Sequence, residues 1–191
     1  THAMYRVRHD GLDNIPDEGP VVIVCNHVSF MDPLIIAGAC RRPVRFVMDH
    51  QIFKIPVLNF IFRTARAIPI APAKEDPDMK TRAFERVAEE LAAGEVVCIF
   101  PEGKITYDGE LNPFKSGIEE IVARTPVPVV PMALRGMWGS FFSRKGGPAM
   151  GRIPRRFWSK ISLVATHPLA PEQVTATGLQ QQVQALRGNA R

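Results

Sequence analysis

The chain reads as a single α/β domain, with a central mixed, largely parallel sheet flanked by helices. Three short runs, Val21-Val22-Ile23-Val24-Cys25, Val96-Val97-Cys98-Ile99 and residues 127–134, are apolar at nearly every position. That is the pattern of strands buried on both faces, whereas a half-exposed strand would alternate. Between them, residues 78–93 repeat apolar side chains at helical spacing, so strands and helices interleave. At 191 residues and 46% hydrophobic content, the chain is long enough for one sizeable core.

Taken in order, Tyr5-Arg6-Val7-Arg8 is a short strand. Residues 14–20, with two prolines and a glycine, form a loop before the strand at 21–25. A helix is expected from Asp32, with Asp32 as N-cap and Pro33 in the first turn. Residues 44–48 form the next strand. Ile68-Pro69-Ile70 is a short one that its proline assigns to an edge or an irregular position. In the helix at 78–93, Met79, Ala83, Phe84, Val87, Ala88 and Leu91 share a face; Lys80, Arg82, Glu85, Arg86, Glu89 and Glu90 fill a solvated one. Gly94 ends it. A strand at 96–100, a short helix at 116–123, strands at 127–134 and 161–165, and a terminal helix carrying Leu179, Val183 and Leu186 complete the set.

Composition narrows the function classes. A net charge of +5 suits an anionic partner, phospholipid or nucleic acid. The aromatic interleaving that base stacking requires is sparse, which argues against nucleic acid. Cys25, Cys40 and Cys98 have no paired spacing and read as core thiols with no metal site. No run of eighteen apolar residues occurs, and the start Thr1-His2-Ala3-Met4 lacks the apolar region of a signal peptide. Residues 1–3 read as a cloning remnant; residues 4–191 read as one domain, complete or cut from a longer multidomain protein.

The densest chemistry lies in Asn26-His27-Val28-Ser29-Phe30-Met31-Asp32. Imidazole is suited to proton transfer near neutral pH, and a carboxylate can fix its tautomer. Five residues of helix turn through about 500°, leaving side chains about 140° apart. His27 and Asp32 therefore meet only if His27 precedes the helix that Asp32 opens. By itself the pair is equally a structural histidine and a helix cap. Phe100-Pro101-Glu102-Gly103 is a second polar stretch at the end of an apolar run, and alone it reads as a solvated turn.

In order, Asn26-His27-(x4)-Asp32, Ala67-Ile68-Pro69-Ile70, Phe100-Pro101-Glu102-Gly103 and Val127-Pro128-Val129-Val130-Pro131 resemble the motifs of the glycerolipid acyltransferase family. The resemblance runs from about Tyr5 to Ala165. It implies a glycerolipid acyltransferase-like fold and transfer of an acyl group from a thioester, acyl-CoA or acyl-ACP, to a lysophospholipid or 1-acylglycerol 3-phosphate hydroxyl. No bound cofactor is needed. His27 would be the general base, with Asp32 orienting it. Glu102 and Gly103 match the acceptor-binding motif.

Departures bear on the acceptor. Arg66 stands where the second motif carries glycine, and Ala71-Pro72 where it carries Asp-Arg. Ile105 replaces the third motif's arginine within Gly103-Lys104-Ile105-Thr106. Arg66, Lys74 and Lys104 are the candidate cations to substitute for those arginines, and Arg66, Lys104 and Thr106 are expected substrate-binding residues. Asn-His-Val-Ser-Phe, Pro-Glu-Gly-Lys-Ile-Thr and Phe142-Ser143-Arg144 are similar to the acyltransferase domain of bifunctional 2-acylglycerophosphoethanolamine acyltransferase/acyl-carrier-protein synthetases. A phosphodiester head group carries less charge, in keeping with fewer arginines.

Two segments are candidates for membrane contact. Residues 52–62, with Phe53 and Phe60, are too short to span and are either a core helix or an interfacial one. Arg155, Arg156, Phe157 and Trp158 mix cations with aromatics, as interfacial segments do. The expected partners are a lysophospholipid, the membrane surface and acyl carrier protein, with no nucleic acid. The expected location is peripheral, at the cytoplasmic face of the membrane. The competing readings are a non-catalytic basic lipid-binding module and an esterase or thioesterase. No Gly-x-Ser-x-Gly elbow supports the last.

Overall fold

A computed structural model of the chain describes residues 5–54, 56–145, 147 and 159–190. The expected interfacial residues Arg155, Arg156, Phe157 and Trp158, and residues 1–3, lie outside these. Seven strands form one sheet: β1 (Tyr5–Asp10), β2 (Val21–Cys25), β3 (Val44–Asp49), β4 (Ile68–Ile70), β5 (Val96–Ile99), β6 (Val129–Arg135) and β7 (Ser159–Ala165). Their order is β1-β7-β6-β2-β5-β3-β4. From β6 to β4 every pairing is parallel, while β7 runs antiparallel to β6 and carries β1 parallel to itself. The expected mixed, largely parallel α/β sheet is borne out, and Pro69 does sit on an edge strand.

The period of two places alternate side chains on opposite faces. Val21, Ile23 and Cys25 of β2 join Val96, Cys98, Val130 and Met132 in one core layer. Val22 and Val24 join Val97, Ile99, Val129 and Ala133 in the other. The first layer is covered by α1 (Asp32–Ala39) and α2 (Pro56–Thr64) through Ile35, Ile36 and Phe62. The second is covered by α3 (Pro77–Ala92), α4 (Gly117–Arg124) and α5 (Ala176–Arg187) through Leu91, Ile118 and Leu179. The central strands are apolar on both faces because both faces are roofed.

Helix ends depart from expectation in instructive ways. Helix α3 begins at Pro77 because Asp76 caps it, its carboxylate accepting from Met79 N at 2.8 Å. Glu90 is not on a solvated face. It is buried between Arg45, at 3.3 Å, and Arg86, at 2.6 Å. Helix α2 stops in a turn where Arg66 adopts φ 53°, and Ala67 N donates back to Phe62 O. That left-handed position is the kind glycine fills without a Cβ clash, which is why the motif's glycine position falls there.

Leu91 anchors α3 on the sheet and is fully buried. Leu91→Ala should cost about 2–5 kcal/mol of unfolding free energy, measured by urea denaturation. A loss below ~1 kcal/mol would mean that α3 re-seats without it.

Candidate active site

The parallel register of β2 and β5 builds the site. Val24 lies beside Ile99, so three residues further on each chain His27 stands beside Glu102, beyond the carboxyl ends of the strands. Ligands of open α/β sheets bind at this end. His27 lies in the loop ahead of α1, and Asp32 is the first residue of that helix. This meets the geometric condition set by helix rotation.

His27 Nδ1 is 2.9 Å from Asp32 Oδ2. The same oxygen accepts from Val28 N at 2.6 Å and Ser29 N at 2.9 Å. Asp32 is fully buried, and its Oδ1 has no partner. The expected N-cap role is corrected: Met31 holds the N-cap position, and no side chain caps α1. Asp32 instead serves the loop before it. With Oδ2 as acceptor at Nδ1, the imidazole carries its proton there and presents Nε2 as a base. Among the described residues, nothing engages Nε2.

The ring is also held flat. Phe100, just past β5, stacks on His27 with centroids 4.3 Å apart and planes 20° apart. Phe46 stacks behind Phe100 at 6.4 Å. Asn26 is buried and ties the start of the loop to β6. Its amide donates to Leu134 O at 3.0 Å and its carbonyl accepts from Leu134 N at 2.8 Å.

The Glu102 carboxylate is turned into the protein. It is 2% exposed. One oxygen accepts from His27 N at 2.7 Å; the other accepts from Asn112 N at 2.7 Å and Asn112 Nδ2 at 2.9 Å. Burial pushes its pKa up, and the N–H donors of His27 and Asn112 pull it back. Three protein N–H donors take most of its acceptor capacity, and its burial leaves no exposed oxygen for the expected hydrogen bonds from glycerol hydroxyls. Thr106 is similar: it is buried, its N donates to His27 O at 3.0 Å, and its hydroxyl bonds Asp108 at 3.0 Å and Gly109 N at 3.0 Å. The His27 backbone is thus gripped at both its N–H and its C=O.

Gly103 has φ 66°, and the Lys115 ammonium fills the space where its Cβ would stand. What approaches Gly103 is therefore Lys115, a cation with no motif to announce it. Gly103 N donates to Phe100 O at 2.9 Å, so it is not a free oxyanion donor. Lys104 is exposed beside it. Arg66 is exposed too, but it precedes edge strand β4, three strands and roughly 14 Å from β2 at ~4.8 Å per strand. Phe53 is not a free interfacial side chain: it packs against the first core layer, 6.1 Å from the Phe62 ring. Phe60 is 74% exposed.

Other nucleophiles are poorly placed. Ser29 is buried, and its hydroxyl accepts from Met31 N at 3.0 Å. Burial pushes the Cys25 and Cys98 thiols well up, and that of Cys40 up to about 11, which keeps all three protonated at neutral pH. Among the described residues no group of three or more His, Cys, Asp or Glu is arranged to hold a metal. A cavity of about 180 Å³ lined by His9, Leu12, Cys40 and Arg42 lies at the far end of α1.

With this geometry in place, comparison with known proteins decides the family. The acyltransferase family model matches residues 6–135. The chain belongs to the acyltransferase family. It is 35% identical over 136 residues to the 1-acyl-sn-glycerol-3-phosphate acyltransferase BAT2, chloroplastic, of Brassica napus, covering 71% of this chain and 39% of that protein. The 1-acyl-sn-glycerol-3-phosphate acyltransferase of Borreliella burgdorferi is 30% identical over 131 residues, covering 65% and 49%. The chain therefore spans between about two fifths and a half of the length of these relatives. The crystal structure of the 1-acyl-sn-glycerophosphate acyltransferase PlsC from Thermotoga maritima superposes with a TM-score of 0.76 at 25% identity, covering 95% of this chain and 70% of that one. The resemblance of the motifs to glycerolipid acyltransferases is borne out at the level of the family.

Glu102→Gln keeps one acceptor oxygen but turns an amide NH₂ toward a backbone N–H or toward Asn112. Stability should fall by about 1–3 kcal/mol, read from the denaturation midpoint. An unchanged midpoint would mean that the carboxylate does not hold the His27 and Asn112 segments together.

Proposed function

We propose that this acyltransferase moves a fatty acyl group from an acyl thioester, acyl-CoA or acyl-ACP, to the free hydroxyl of a lysophospholipid or 1-acylglycerol 3-phosphate. The observation that carries the reading is the imidazole held by Asp32 and Phe100 with Nε2 unengaged. The activities for which the relatives are named supply the substrate class.

The chemistry follows from the geometry. Nε2 of His27 takes the proton of the acceptor hydroxyl as its oxygen attacks the thioester carbonyl. The tetrahedral intermediate collapses with loss of the thiolate, which takes the proton back from Nε2. No side chain is acylated, because the acceptor is the nucleophile. Asp32 stabilises the imidazolium in between, as the aspartate of a serine-protease triad does. Glu102 and Thr106 position His27 through its main chain. Lys104 and Lys115 lend positive charge beside Gly103.

The acceptor is taken at the surface of a bilayer, by peripheral contact at its cytoplasmic face. Among the described residues no helix is long and apolar enough to cross a membrane. The outer side of α2 supports a shallow contact: exposed Phe60 and Ile61 lie near exposed Arg63 and Arg66 in sequence. The finer assignment to a 2-acylglycerophosphoethanolamine acceptor rests on Ala71-Pro72 and Ile105 standing where arginines are common.

His27→Ala should lower transfer to lysophosphatidate by about 10²–10⁴-fold with an unchanged circular dichroism spectrum, and Asp32→Asn should lower kcat more than it raises KM. Wild-type turnover in His27→Ala would remove the base assignment. Phe60→Asp should weaken sedimentation with anionic liposomes while turnover of a detergent-dispersed acceptor persists. Undiminished sedimentation would place the membrane contact elsewhere.

A further inference from the structure

The Phe142-Ser143-Arg144 motif lies outside the His27–Asp32 pair and its supports. The segment after β6 folds back onto the catalytic loop: Phe30 N donates to Phe142 O at 3.4 Å, and Ser143 forms a β-bridge with Ser29. Ser143 is buried and tied down, its hydroxyl accepting from Gly139 N at 3.0 Å and donating to Ser140 O at 2.9 Å. This delivers Arg144 to the edge of the His27 loop. Its guanidinium carbon lies 4.7 Å from the Tyr107 ring centroid and 5.8 Å from that of Phe30. One nitrogen donates to the Tyr107 hydroxyl. Among the described residues, Arg144 enters no ion pair.

Aromatic rings hold a guanidinium without cancelling its charge. Of its five N–H donors, Tyr107 takes one. The remainder form the planar fork that matches phosphate oxygens in a bidentate way. Phe30 is three residues from His27, so its Cα lies within about 11 Å of the base's. In a glycerol phosphate ester the reacting hydroxyl and the phosphate are separated by a short carbon link, so a head-group anchor must stand within a side chain's reach of the base. Arg144 packs on Phe30, a residue of the His27 loop itself, whereas Arg66 lies three strands away.

We propose that Arg144, held by Phe30 and Tyr107, anchors the phosphate of the acceptor's head group while His27 takes the proton of its hydroxyl. The proposal rests on the acyltransferase reading and names the residue that sets its acceptor class. The shared chemistry is a phosphate-ester oxyanion, carried by the monoester lysophosphatidate and by the diester lysophosphatidylethanolamine. Arg144 is a specificity residue, distinct from the base and its supports.

The test compares wild type, Arg144→Ala and Arg144→Lys with lysophosphatidate, lysophosphatidylethanolamine and the phosphate-free acceptor monoacylglycerol, using one acyl donor. Arg144→Ala should raise KM for the phosphate-bearing acceptor about 10- to 100-fold, with little change in kcat, in the donor KM or in monoacylglycerol turnover. Arg144→Lys should fall between, as a point charge without the fork. The phosphate acceptor that loses more identifies the head group. Equal losses on all three acceptors, as from a mere strap between loops, overturn the proposal, and so does no loss on any. Absence of wild-type turnover would sink the acyltransferase reading instead. Equilibrium binding of lysophosphatidate and monoacylglycerol then decides Arg144: a selective loss of lysophosphatidate binding in Arg144→Ala supports it, and unchanged binding overturns it.

Discussion

The geometry of this site depends on one buried carboxylate oxygen receiving three N–H donors. Asp32 Oδ2 binds the imidazole and the main-chain N–H groups of Val28 and Ser29. Taking a carboxylate out of water costs several kcal/mol even after relaxation. Charge-assisted hydrogen bonds offset that cost only while all the donors stay in place. The loop cannot shift independently of α1, because moving any donor leaves a buried charge less compensated. The direction of the helix, the curl of the loop and the tautomer of the base are therefore one coupled choice.

Glu102 repeats the logic from the neighbouring strand. Asp32 holds the histidine by its ring, whereas Glu102 holds it by its main chain. Two carboxylates thus fix one imidazole from opposite ends of the residue. Burial pushes the Glu102 pKa up, against the pull of the His27 and Asn112 N–H donors. That cost is tolerable where it joins three segments: the ends of β2 and β5, and the 106–112 loop. Arg187, from the last turn of α5, braces that loop from behind through Gly109 O and Glu110.

Much of this was legible in the sequence, and the boundary is physical. Strands β2 and β5 announce themselves because both faces are buried, and the rotation of a helix alone required His27 to precede it. Asp32 as a cap was a sound local reading, but a side chain that can cap forwards can also bind backwards, and only the folded loop decides. The Glu102 contact to His27 spans 75 residues, and it exists only because β2 and β5 are neighbours in register. The same holds for Phe100 beneath the imidazole. Glu90 looked like one more charge on a helix surface until Arg45, on β3, arrived to pair with it. Arg144 needed two aromatic residues from distant loops to become legible. Pairings of this kind are properties of topology, and a periodicity scan does not contain them.

For the proposed acyl transfer, the stack of Phe46, Phe100 and His27 has a consequence for how the acyl group is kept from water. An imidazole free to swing would meet any passing hydroxyl, water included, and an acyl thioester met by activated water is simply hydrolysed. Phe100 covers one face of the ring and Asp32 ties one edge, so the open approach lies along the Nε2 edge. A nucleophile must come in nearly within the plane of the ring, already oriented. An acceptor held elsewhere along its length keeps its hydroxyl on that edge, whereas a water molecule there must be captured anew at each encounter. In the proposed transfer, the aromatic column thereby biases the partition of the acyl group between lipid and solvent, without touching either one.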